Sequence, residues 1–214
     1  MEEKNKSGLF LLFGIILMTI TMVLHPSGGS LEHILNIRTI LIISHSLAIF
    51  SIPFLIIGFW GIWKSLGTHN LVSTLAFIIS FLGSIAAMLA AVVNGLVLPN
   101  FLVRNYDPNN SMNADYIKLF VRYNSSLNLA MDYILISAFV LAVLLWSILI
   151  VLQRPKVFPA WLGFFGIILT MTVLIGVVSG YDFIHVQGFR VFIFGLVSWL
   201  MVAGVYMNKK MESD

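Results

Sequence analysis

The chain has 214 residues, of which 59% are hydrophobic and only 10% charged, with a mean hydropathy of +0.99. So few polar side chains cannot clothe a soluble domain, and lipid must supply most of the solvent. The absence of cysteine excludes disulfides, thiolate zinc sites, iron–sulfur clusters and c-type haem attachment; the net charge of +3 sits mainly at the ends of apolar runs, a mark of topology and not of a nucleic-acid partner.

A helix rises 1.5 Å per residue, so about 20 apolar residues cross a hydrocarbon core of roughly 30 Å. Six segments qualify, giving an all-α, polytopic transmembrane bundle in a single domain over residues 1–214: Gly8–Leu24, Ile37–Trp63, Leu71–Leu98, Leu127–Leu152, Pro159–Ser179 and Phe189–Met207. Lys4 and Lys6 ahead of the first segment, with small residues near Ser27 and Gly29, have the layout of a signal peptide. The segment is read here as a retained first span. His25-Pro26-Ser27-Gly28-Gly29-Ser30 ends that span, Gly67-Thr68-His69-Asn70 separates the second from the third, and Arg154-Pro155 closes the fourth. Only residues 99–126 form a long connection; Asn113 can cap a short helix there with Ile117, Phe120 and Val121 on one face, lying as an interfacial lid. Pro53, midway along the second span, removes the donor for the Ile49 carbonyl and should kink the helix.

The side that holds both termini carries Lys4, Lys6, Lys64, Arg154, Lys156, Lys209 and Lys210, against Arg38, Arg104, Lys118, Arg122 and Arg190 opposite. Seven against five places the termini in the cytoplasm. Trp60, Trp63, Trp161 and Tyr206 then mark the inner interface, and Tyr106, Tyr116, Tyr123 and Tyr181 the outer one.

Shifting the chain by 152 positions aligns Phe13-Gly14-Ile15-Ile16-Leu17 with Phe165-Gly166-Ile167-Ile168-Leu169, Ser27-Gly28 with Ser179-Gly180, His33 with His185 and Arg38 with Arg190. Duplication and coincidence both account for this. If it is duplication, spans 1–2 and 5–6 are parallel-related hairpins that each bring a Ser-Gly-x4-His-x4-Arg segment to the outer face.

An ionisable side chain in hydrocarbon costs at least ~2.5 kcal/mol, so such residues face the bundle interior and often serve function. His45, between Ser44 and Ser46, lies about two turns inside the outer end of the second span, with Arg38 on its face. Asn94 sits near the outer end of the third, on a stripe of small residues with Gly83, Ala87 and Ala90. Asp132 lies at the N-terminal end of the fourth, one turn after Asn128, where the helix dipole favours a carboxylate. The loops above add His25, Glu32, His33, Asp182 and His185.

This convergence yields a candidate ligand site of His45, Asn94, Asp132, Arg38 and Arg190, open to a small molecule or a lipid. Its candidate metal ligands are His33, His45, His185 and Asp132. Zinc suits imidazole and carboxylate donors, although no short-spaced pair such as HExxH occurs. Haem b between two imidazoles is a second option, limited by His45 alone lying inside a span. His25, before Pro26, is read as a helix-end residue that complements the dipole, and His69 as a loop residue. A serine nucleophile at Ser27 or Ser179 ranks below the metal reading, because it needs a base within reach. The competing account is a structural or accessory subunit, in which the polar residues form interhelical hydrogen bonds that only order packing. A small transporter fits less well, because the inner halves of the spans are almost wholly apolar.

The six-span plan of about this length, with Pro159-Ala160-Trp161-Leu162-Gly163 opening the fifth span, resembles small six-helix bacterial integral membrane proteins of unassigned function. The resemblance implies a bacterial plasma membrane and assigns no residue a role.

Overall fold

The computed structural model describes residues 2–27, 29–107 and 111–209. Gly28, used in the repeat, and Lys210, used in the charge count, lie outside them. Among the described residues there are no strands, and the helices are α1 (Glu2–Leu24), α2 (Leu31–Asn36), α3 (Arg38–Leu66), α4 (Leu71–Ala91), α5 (Leu98–Asn105), α6 (Ser111–Gln153), α7 (Ala160–Val178) and α8 (Val186–Lys209). A π-helical turn, Val92–Val97, joins α4 to α5 into one continuous rod. Six helical segments are long and apolar enough to cross a membrane, so the chain is a multi-pass integral membrane protein.

The boundaries follow local chemistry. The Asn70 side chain accepts from Val72 N at 2.9 Å and Ser73 N at 3.1 Å, capping α4. Gly67, with φ 103°, supplies the left-handed step out of α3. Arg154, at φ 46°, ends α6 immediately before Pro155, where the helix cannot continue.

The spans pack in chain order: α1 on α3, α3 on α4, α4 on α6, α6 on α7, and α8 back on α1, with α7 against α8 the sparsest seam. The interior is filled by rings. Phe59 lies 5.7 Å from Phe139 and 5.8 Å from Trp146, and Trp146 stands parallel to Trp199 at 6.3 Å between centroids. Near the loose seam Val143, Leu169, Val173 and Leu196 line a shallow apolar crevice.

Close helix approach depends on missing side chains, since lipid gives no hydrophobic drive between helices. A Cβ on Gly58 would stand 2.6 Å from Leu11 Cβ, and one on Gly163 would stand 2.7 Å from the Ser147 carbonyl oxygen. The two hairpins related by the candidate repeat are packed unlike each other: α1 against α3 is the most extensive pair, whereas α7 against α8 is far sparser.

Two sequence expectations change. The third span does not end at Leu98; it stays helical through Pro99 to Asn105. Proline lacks an N–H and its ring crowds the carbonyl four residues back, which disfavours a regular α-turn, although α3 runs unbroken through Pro53. The π-turn widens the helix just before Pro99, with Leu98 N–H donating to Val93 O. Likewise, residues 113–121 are not a separate short helix but the N-terminal part of the 43-residue α6. At 1.5 Å per residue α6 is about 65 Å long, roughly twice the hydrocarbon thickness, so it must project from the bilayer. The apolar face is as read: Ile117, with Phe120 and Val121 beside it, packs on Ile34, Leu98 and Leu102 in a small cluster of α2, α5 and α6.

Gly163→Ala should force α7 away from the α6 backbone and lower stability by about 1–3 kcal/mol, as other overpacked sites do. Thermal unfolding of the purified protein in detergent measures this; an unchanged midpoint would show that the α6–α7 contact is not tight.

Candidate functional site

About 20 residues span the hydrocarbon. Counting that length inward from Lys6, Lys64, Leu71, Gln153 and Lys209, which all lie on the terminal side, reaches Pro26, Ser44, Ala91, Tyr133 and Phe189. These positions fall beside His25, His45, Asn94, Asp132 and Arg190. The polar residues therefore lie at one depth, at the edge of the apolar layer on the face away from the termini.

Tertiary packing separates them into distinct groups. The first joins α1, α3 and α8. The His45 ring is buried and lies 4.9 Å, centroid to centroid, from the ring of His25. His45 Nδ1 is 2.8 Å from Leu41 O, one turn back, and His25 Nδ1 is 3.0 Å from Pro26 O. A carbonyl can only accept, so each Nδ1 carries the proton when the ring is neutral and each Nε2 presents a lone pair. Among the described residues, neither Nε2 has a hydrogen-bond partner. Arg190, from α8, donates from Nη2 to His25 O at 2.7 Å, while its Nε is buried without a partner. The π-turn backs His45: a Cβ on Gly95 would stand 2.0 Å from His45 Cβ. Only glycine lets the two helices approach this closely.

A second group forms two hydrogen-bonded pairs. Asn124 Nδ2 donates to Asn94 Oδ1 at 2.7 Å, tying α6 to the π-turn. Asn128 Nδ2 donates to Asp132 Oδ2 at 2.6 Å within α6. The remaining candidates lie apart. His33 and His185 are exposed, and Arg38 is half-buried. Among the described residues no group of three or more His, Cys, Asp or Glu is placed to hold a metal, so His33, His45, His185 and Asp132 are not brought together as one ligand set.

The loops have their own order. Asp182 Oδ1 accepts from Ile184 N at 2.9 Å and His185 N at 3.0 Å, and these bonds hold its carboxyl below the usual range. Tyr106 donates to Glu32, clasping α2 to the end of α5 and holding the Glu32 carboxyl low and the phenol high.

His25 lies at the end of α1, as read from the sequence, and its ring also meets that of His45. Its spacing carried no signal, because the pairing spans two helices and a turn. Just outside the first span, His25 is pushed down to about 4, first by burial, then by the His45 ring and Arg190, with the Pro26 carbonyl opposing. Its ordinary value is 6.5, so between the two the unfolded chain binds more protons and stability must fall as pH drops from about 6.5 to about 4.

Thermal midpoints in detergent should therefore decline over that window in the wild type and decline less in His25→Gln. Equal slopes would remove His25 as the source. Gly95→Ala should lower the midpoint at every pH, by displacing the His45 backbone from the π-turn. No protein family, curated protein or solved structure matches the chain.

Proposed function

We propose that the chain is a bacterial plasma-membrane protein, with cytoplasmic termini, that binds a small polar molecule or a lipid headgroup at the outer edge of the bilayer through His45, His25 and Arg190. The observation that carries this reading is the buried Arg190 Nε without an acceptor beside two imidazoles with open Nε2 lone pairs. Unpartnered polar atoms at the edge of hydrocarbon are costly, and a bound ligand would satisfy them. Arg38, half-buried at the N-terminus of α3, is an outer contact for the same ligand.

For Asn94 and Asp132 the bonds to Asn124 and Asn128 favour the packing role, in which polar pairs order the bundle. A transporter is disfavoured by the interior of Phe59, Phe139, Trp146 and Trp199, which leaves no polar path among the described residues.

Native mass spectrometry of protein released from mild detergent should show a bound organic species that Arg190→Gln and His45→Gln lose while remaining folded. The same bound mass in wild type and both variants would defeat the reading. For orientation, the cysteine-free chain gives a clean background: Ser179→Cys should react with an impermeant maleimide on intact cells, and Thr68→Cys only after lysis. The reverse labelling pattern would invert the topology.

A further inference from the structure

We propose that His25 and His45 form a two-imidazole site for a divalent transition-metal ion of the zinc class, bound through the two Nε2 atoms with its remaining positions open to water or an oxyanion. The inference rests on the ligand-site reading above and gives that site its metal. Of the metal ligands named from the sequence, His33, His45, His185 and Asp132, this site keeps only His45 and adds His25.

Three observations converge. First, both Nδ1 atoms are pinned to backbone carbonyls, Leu41 O at 2.8 Å and Pro26 O at 3.0 Å. That is the outer arrangement by which metal-binding histidines are fixed in tautomer and orientation. Second, the separation suits the ion. Two metal–nitrogen bonds of about 2.0–2.1 Å meeting near a tetrahedral angle put imidazole centroids about 5 Å apart, whereas a linear two-coordinate ion needs more than about 6 Å. The rings stand 4.9 Å apart. Third, no other His, Cys, Asp or Glu joins the pair among the described residues, so an ion would have two protein ligands, one fewer than a catalytic zinc site, and its other positions would fall to water or an oxyanion.

Arg190 then takes a defined part. Two neutral imidazoles leave the ion its full positive charge, which would be unfavourable beside a guanidinium unless an anion lies between them. The buried Nε of Arg190 needs an acceptor, and an oxygen anion on the metal would provide it. Without a metal, two lone pairs would repel the same anion. A metal would make the histidines and the arginine compatible around one anion; without it, the ligand has to offer a donor to the imidazoles and an acceptor to Arg190.

The test uses the tag-free full chain in nanodiscs, titrated with Zn²⁺ by calorimetry and with Co²⁺ followed by visible absorption. One ion per chain is expected, with Co²⁺ bands of a tetrahedral or five-coordinate site. His25→Gln and His45→Gln should each weaken Zn²⁺ binding at least tenfold, while His33→Gln and His185→Gln leave it within twofold. If His45→Gln fails to fold, His25→Gln, on the loop after α1, decides alone. No stoichiometric ion, unchanged affinity in the His25 variant, or a loss that tracks His33 or His185 overturns the assignment. Should the metal fail while the organic species still departs with Arg190→Gln, the metal falls and the ligand reading stands.

Discussion

Everything in this protein depends on one constraint: at the depth of the hydrocarbon, a polar group must find its partner inside the chain. The backbone meets it with six helices. The side chains meet it by local back-bonding, as Thr19, Ser65, Ser84 and Thr170 do with carbonyls one turn away. Where it is met mainly by packing, the result is scaffold, although Trp146 Nε1 and Ser147 Oγ are buried there without a partner. The inner region is close-packed aromatic and aliphatic surface, with Trp199 Nε1 donating to Leu162 O at 3.1 Å across the α7–α8 contact.

Where the demand is incompletely met, chemistry becomes available. On the face away from the termini, Asn94 pairs with Asn124 and Asp132 with Asn128, whereas the Arg190 Nε is buried without a partner beside His25 and His45. The π-turn at Val92–Val97 is tied to this difference. The widened turn just ahead of Pro99 sets Gly95 against the His45 backbone and carries Asn94, which accepts from Asn124. The extra helical length beyond it builds the outer cluster of Ile34, Leu98, Leu102 and Ile117.

Much of the architecture was legible in the chain itself, for a physical reason. A span is a local property: about 20 apolar residues must be helical in lipid whatever else surrounds them, so six spans and their punctuation at Asn70 and Arg154 could be read without tertiary information. Depth was legible by the same counting, which set His45, Asn94 and Asp132 at one level. The face formed by Ile117, Phe120 and Val121 was visible as helical spacing.

Partnership was not legible, because it depends on which helix rotates toward which. The one-turn spacing of Asn128 and Asp132 was visible in the sequence, but nothing local showed that His45 turns to His25 on another segment. Nor could it reveal that His33 and His185, matched by the 152-residue offset, both remain at the surface. The extension of the third span past Pro99 escaped notice because proline ordinarily stops a helix, whereas here a π-turn precedes it and the helix continues. By itself the sequence determined the solvent, the spans and the level of the polar residues, since these follow from the length and polarity of each segment. Only the tertiary structure decided which polar residues meet, since helix rotation and close approach are set by packing between segments distant in the chain.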